Sequence, residues 1–251
     1  MRYYVTADIH SFYTQMGEAL SDAGFFTDPE PRKLIILGDL FDRGKEAKEI
    51  QSFVLALMKK DEVILIRGNH EDLFVQMVTE DHGLPYGAHI SNGTYDTAIQ
   101  LTDFDPVMAR MRNYDFADAA METPYYQQII PSMLDFYETA HYVFVHGWIP
   151  CVRERNGTYS YVTQWRDSGK IDWMEARWIN GMKAASDGVT EEGKTILCGH
   201  WHASYGHSIL DHVCSEFGPD ADFSPYYNSG IIALDACTAH SGIVNCIVVD
   251  D

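Results

Sequence analysis

A chain of 251 residues with 46% apolar side chains is long enough to bury one large α/β core without disulfide or metal staples. With 18 basic against 37 acidic residues its net charge is −19, so nucleic acid and anionic membranes are excluded as expected partners. Five cysteines (Cys151, Cys198, Cys214, Cys237, Cys246), odd in number and without a Cys-x-x-Cys pair, form neither a disulfide framework nor a zinc ribbon, and read as buried free thiols of a reducing compartment.

Tyr3-Tyr4-Val5-Thr6-Ala7 reads as the first strand. It begins straight after Met1-Arg2 and leaves no room for a signal peptide, and no apolar run approaches the ~18 residues of a membrane span, so a cytoplasmic protein is expected. The strand ends at Asp8-Ile9-His10, where alternation puts the Asp8 and His10 side chains on one side, a spacing that suits a transition metal. A helix from Phe12 to Ala23 follows, closed by Gly24, and Asp28-Pro29-Glu30-Pro31 is a turn.

Lys33 to Leu37 is a second strand, short and buried, that breaks at Gly38 into Asp39-Leu40-Phe41-Asp42-Arg43-Gly44. Charges at the end of a buried strand lie at a sheet's C-terminal edge, where open α/β folds hold ligands. Carboxylates crowded there repel one another unless a cation sits among them; a metal ion answers this, with Arg43 aimed at an anionic substrate. The plain alternative is a solvated turn. After a helix from Ala47 to Lys60, the strand Val63 to Arg67 ends at Gly68-Asn69-His70-Glu71. Asp39 lies 31 residues after Asp8 and Asn69 30 after Asp39, one strand–helix–strand step each, so three strands bring polar residues to one edge.

Residues 72–141, rich in aromatics and Met, read as a helical insertion that packs into the core, with a cap over the site as the other possibility. His141 to Val145 is a fourth buried strand, ending at His146-Gly147-Trp148. Trp165, Trp173 and Trp178 read as core rather than as a stacking platform. Lys194 to Cys198 is a fifth strand, ending at Gly199-His200-Trp201-His202, and residues 230–249 supply further strands. Without a repeat, low-complexity tract or linker, one domain over residues 1–251 is expected.

Collected, the strand ends are Asp8-x-His10, Gly38-Asp39-x-x-Asp42-Arg43-Gly44, Gly68-Asn69-His70-Glu71, His146-Gly147 and Gly199-His200-x-His202. This set resembles the calcineurin-like metallophosphoesterase superfamily, most closely the phosphoprotein phosphatase branch that includes bacteriophage lambda phosphatase and bacterial symmetrical diadenosine tetraphosphatase. The resemblance implies an α/β fold built on a two-layered mixed β-sandwich flanked by helices. It implies two divalent metal ions (Mn, Fe, Zn or Co): Asp8 and His10 on the first, Asp39 bridging, Asn69, His146 and His200 on the second, and His202 as an extra ligand of the first. It further implies that His70 is a general acid held by Asp42, that Arg43 grips the phosphoryl oxygens, and that Arg153, Arg166 and Arg177 are candidates for further phosphate contacts. Glu71 has a supporting role.

Two metals clamp an in-line displacement and make hydroxide available near neutral pH. Ser11 and Trp148 depart from the branch's usual small residues, and Trp148 is expected to narrow the site. The leading function is a metal-dependent phosphatase hydrolysing phosphomonoesters, of phosphoprotein side chains or small molecules, by attack of metal-bound hydroxide. Hydrolysis of diesters or dinucleoside polyphosphates is the second reading, and a non-catalytic metal-binding scaffold the third.

Overall fold

The apolar runs that mark the strands are continuous because both faces of each strand are covered. The computed structural model describes residues 1–29 and 31–251, so Glu30, part of the turn expected at 28–31, lies outside the described residues. The strands are β1 (Arg2–Thr6), β2 (Arg32–Ile36), β3 (Val63–Leu65), β4 (Tyr137–Glu138), β5 (Tyr142–Phe144), β6 (Cys151–Arg153), β7 (Tyr159–Tyr161), β8 (Thr195–Cys198), β9 (Tyr226–Asn228), β10 (Ile231–Ala233) and β11 (Cys246–Asp250). One sheet has the order β11-β1-β2-β3 and a second the order β4-β5-β8-β10-β9, while β6 and β7 form a separate hairpin. Parallel pairing holds for β1–β2, β2–β3, β5–β8 and β8–β10, and β1–β11, β4–β5 and β9–β10 are antiparallel.

Period-two alternation divides each run between two cores. Leu34 and Ile36 face helices and pack with Met16, Leu20, Ile50 and Val54, whereas Ile35 and Leu37 meet Val5, Phe144, Leu197 and Leu234 between the sheets. In the second sheet Val143, Ile196 and Cys198 pack outward against Trp148, Trp165 and Trp173. The result is the mixed sandwich flanked by helices that the motifs imply.

The helices Tyr13–Asp22 and Ala47–Met58 connect the strands of the first sheet. β3 is shorter than its apolar run: Leu65 and Arg67 bond to the backbone of Leu134, which lies outside the sheets. From Asn69 onward, across most of residues 72–141, come the helices Asn69–Thr79, Gly87–Asn92, Thr94–Thr102, Pro106–Met111 and Asn113–Met121, followed by a π-helical turn at Tyr125–Ile129. Phe74, Met77, Tyr95, Phe116 and Tyr125 share one core with Leu34 and Ile36, which ties this helical block to the first sheet.

Candidate active site

β1 and β2 stop short of the polar residues that follow them. Asp8 and His10 have φ of 51° and 49°, Asp39 has 53°, Asp42 and Arg43 have 77° and 61°, and His200 has 64°. Strand alternation therefore does not align Asp8 with His10, because both sit on left-handed turns. Each such residue costs ~1–3 kcal/mol and persists only where its surroundings fix it. The turns hold one another: His10 N donates to Asp39 O (3.0 Å), Ser11 N to Leu40 O (2.9 Å) and Gly44 N to His10 O (2.9 Å). Two glycines allow the close approach. A Cβ on Gly68 would stand 2.1 Å from Asp39 Oδ1, and one on Gly199 would stand 2.1 Å from Asp8 Oδ2.

Asp39 lies at the centre of this edge. His146 Nε2 is 3.4 Å from its Oδ1, and the Nε2 atoms of His10 and His70 are each 3.8 Å from its Oδ2. Ligand atoms of His10, Asp39 and His70 fall within 4.8 Å of one another, as do those of Asp39, His146 and His200. His10 Nδ1 donates to Phe41 O (2.8 Å) and His146 Nδ1 to Leu37 O (2.6 Å), which leaves the Nε2 lone pairs facing inward. His146 Nε2 then meets Asn69 Oδ1 at 2.8 Å. Lone pairs opposed at that distance call for a cation between them.

Protons are poor candidates for that cation. Burial holds the His10 and His146 imidazoles below their ordinary range, and burial with His146 beside it takes His200 down to about 3. Asp39 is pushed up by burial, but the imidazoles of His146, His70, His10 and His200 outweigh this and hold it below the usual carboxylate range. Burial, with Asp235 and Asp39 close by, raises Asp8. Neutral imidazoles, carboxylates and an amide oxygen, without thiolate, are the donor chemistry of a divalent ion such as Mn, Fe, Zn or Co. Each of the two clusters can hold one.

His70 differs from the other imidazoles. Its Nδ1 bonds Asp42 Oδ2 at 2.6 Å, and Arg43 Nη2 lies 3.4 Å from its Nε2. Burial alone would lower its pKa, but Asp39 and the Asp42 bond more than compensate and raise it. Asp42 is fixed in turn by the hydroxyls of Thr94 and Thr97, each donating at 2.7 Å. The helical block thus reaches behind the Asp42–Arg43 turn and sets it, a role that composition did not reveal. Glu71, fully buried, accepts from the backbone N–H groups of Gly68, Asp39 and Leu40 (2.7, 3.1 and 3.0 Å). Burial and Asp39 still raise its carboxyl to about 7.

Other residues fall outside these clusters. Asp8 accepts from His200 N with both oxygens (3.0 and 2.9 Å). His202 Nε2 is bonded to Glu216 Oε1 (2.7 Å), and His202 belongs to neither cluster. Arg166 is paired with Glu138 and Glu191, and buried Arg177 with Asp72 and Asp135. Arg153 is exposed on the β6–β7 hairpin. Trp148 does not narrow the site: its indole is 1% exposed in the second core, with Nε1 donating to Val189 O. Trp165 and Trp173 are core as expected, but Trp178 is 52% exposed and its ring centroid is 5.7 Å from that of His200. Sequence reading also passed over Asp235, buried and raised by burial to about 6, although it follows the apolar run 230–234 just as Asp39 follows its strand.

Parallel strand ends gather histidines about a buried aspartate, in two clusters that could each hold a metal ion. A sequence model of the calcineurin-like phosphoesterase family matches residues 1–227, and the chain belongs to that family of enzymes. Its curated relatives include the asymmetrical bis(5'-nucleosyl)-tetraphosphatase PrpE of Bacillus velezensis, 29% identical over 112 residues, which covers 42% of this chain and 43% of that protein. Serine/threonine-protein phosphatase 1 of Salmonella typhimurium is 33% identical over 70 residues, covering 28% of this chain and 30% of that protein. The chain thus aligns with less than half the length of these relatives. Among solved structures, the cold-active protein-tyrosine phosphatase of a psychrophilic Shewanella matches 100% of this chain and 75% of its own, with TM-score 0.52 and 14% identity. A candidate diadenosine tetraphosphatase matches 100% of this chain and 94% of its own, with TM-score 0.50 and 12% identity. Both likenesses concern the fold. Among the described residues no helix is long and apolar enough to cross a membrane.

Proposed function

We propose that the chain is a phosphatase that hydrolyses phosphomonoesters with two divalent metal ions. In this reading Asp8, His10 and Asp39 hold one ion and Asp39, Asn69, His146 and His200 the other. His202 is left to its bond with Glu216 unless it turns inward. When bound, such ions lower the pKa of water and neutralise the phosphoryl oxygens. His70, whose protonated form Asp39 and the Asp42 bond favour, delivers its proton to the leaving oxygen. Arg43, the exposed cation beside His70, grips the phosphoryl group. Asn69 adds an oxygen donor without adding charge. A single phosphatase domain spans residues 1–251, and residues 72–141 are its helical insertion up to the point where β4 (Tyr137–Glu138) joins the second sheet.

The observation that carries this reading is the encounter of acceptors, His146 Nε2 with Asn69 Oδ1 and Asp39 Oδ1, next to the His70–Asp42 pair. A phosphoanhydride substrate is the second reading, favoured by the name of the Bacillus relative. A panel of p-nitrophenyl phosphate, its bis ester, phosphopeptides and diadenosine tetraphosphate separates the two. The roles are tested by elemental analysis: Asp39→Asn is expected to lose metal, while His70→Asn keeps it and loses turnover. Equal metal loss in both variants would make His70 a ligand, as its place beside His10 and Asp39 also permits.

A further inference from the structure

A cavity of about 370 Å³ lies between the β6–β7 hairpin and the helix Lys170–Ala176. Its lining includes Val152, Arg153, Val162, Asp172, Glu175 and Trp178. It adjoins the candidate metal site through one short segment. Trp148 N, two residues after His146, donates to Ala176 O (3.1 Å), and the Trp178 indole meets the His200 ring edge-on at 85°. A second exposed indole, Trp201, stands 6.0 Å from His200, so two partly solvated aromatic rings flank that histidine.

An indole such as Trp178 that meets its neighbour edge-on and stays half exposed beside a cavity suits a planar ligand. The polar groups narrow the choice. Among the described residues neither the Arg153 nor the Glu175 side chain makes an ion pair or hydrogen bond. Asp172 accepts from Gly169 N through one oxygen (3.0 Å). The cavity thus offers an apolar floor, an indole wall, carboxylate acceptors from the helix and a guanidinium from the hairpin.

From this we propose that the cavity is the leaving-group subsite of the phosphoesterase and takes the base of a nucleoside phosphate. The ring would stack on Trp178, an amino group would donate to Glu175 or Asp172, and Arg153 would meet a phosphate or ribose oxygen. A tyrosyl or aliphatic leaving group would leave the carboxylates without donors. The proposal rests on the phosphoesterase reading for the reaction, but not for the binding.

Binding is read by titration calorimetry of the metal-loaded protein with adenosine, which carries no phosphate, and with purine riboside, which lacks the amino group. Adenosine is expected to bind and purine riboside to bind more weakly. Val162→Trp, which fills the cavity, and Glu175→Ala are each expected to weaken adenosine by about tenfold or more, the scale of losing one base contact. In turnover the same variants should lower kcat/KM for adenosine monophosphate relative to phosphoserine by a similar factor. Binding without hydrolysis of any phosphate ester would overturn the phosphatase reading and leave the subsite standing. Hydrolysis with no adenosine binding, or a substrate ratio unmoved by both variants, would overturn the subsite.

Discussion

Replacing Asp42 with Asn tests the proposed proton donor while leaving every residue of the two clusters unsubstituted. In the native chain Asp42 Oδ2 accepts from His70 Nδ1 at 2.6 Å and from Thr94, and Oδ1 accepts from Thr97. The amide keeps one oxygen on His70, and its nitrogen meets the Thr97 hydroxyl, which can rotate to accept. What is lost is the charge. A charge-assisted hydrogen bond of this kind contributes ~1.5–3 kcal/mol, so its loss lowers the His70 pKa and corresponds to a fall of about 10- to 100-fold in kcat. The sign follows from the native shift: His70 is raised by Asp39 and Asp42, so losing one of them lowers it, and the basic limb of the kcat profile moves to lower pH. The assay compares phenyl phosphate with 2,4-dinitrophenyl phosphate, whose leaving group needs no proton. A large loss on the first and a small one on the second is expected, with metal content unchanged. Equal losses on both esters, or an unmoved basic limb, would refute the assignment of His70 as acid.

Gly199→Ala should act through the metal site, since its Cβ would stand 2.1 Å from Asp8 Oδ2 and 2.8 Å from Ala7 Cβ. The displacement should cost ~1–3 kcal/mol and weaken Mn²⁺ binding by calorimetry; an unchanged isotherm would show that the close approach is dispensable. Glu138, held down to about 2 first by its hydrogen bond to Arg166 and then by Lys194, links β4 to residues 166 and 194. A depressed carboxylate stabilises the fold above its unfolded pKa near 4.5, and that contribution is lost as pH falls from there towards 2. Because the pair is partly solvated, Glu138→Gln should cost only about 1–2 kcal/mol at pH 7 and flatten the acid limb of urea denaturation curves; parallel curves would contradict the linkage.

The strands were legible because burial on both faces writes them as unbroken apolar runs, and the site because each run ends abruptly in Asp, Asn or His. Asp39, Asn69 and His146 need no more than that to be found. Asp42 was legible as a residue but not as a structure. The hydroxyls that hold it come from Thr94 and Thr97, more than fifty residues on in a helix whose apolar positions say only that it packs. Trp148 and Trp178 show the same limit from the other side. Each is an indole next to a strand end or a short helix, and only the tertiary contacts decide that Trp148 turns to Val189 O while Trp178 stays exposed beside His200. Asp235 was passed over for a different reason, since it obeys the strand-end pattern but is not followed by the Asp-x-His or Gly-Asp spacing of the other strand ends.

The backbone at the site adds a constraint that the side chains alone do not express. Left-handed φ values fall on Asp8, His10, Asp39, Asp42, Arg43 and His200, all of them site residues without the freedom of glycine. A strand that simply continued would point alternate side chains to opposite faces, so Asp8 and His10 would be committed by the pleat to a geometry fixed at Thr6. Breaking the strand into left-handed turns releases that commitment and lets the chain double back, where His10 N reaches Asp39 O and Ser11 N reaches Leu40 O. The same interlocked turns then carry the inward-facing His10 Nε2 and the carboxylate of Asp39 to within 3.8 Å of each other. Strain and site geometry therefore have one cause at these turns: β1 and β2 bring His10 and Asp39 together by leaving the strand conformation at both residues.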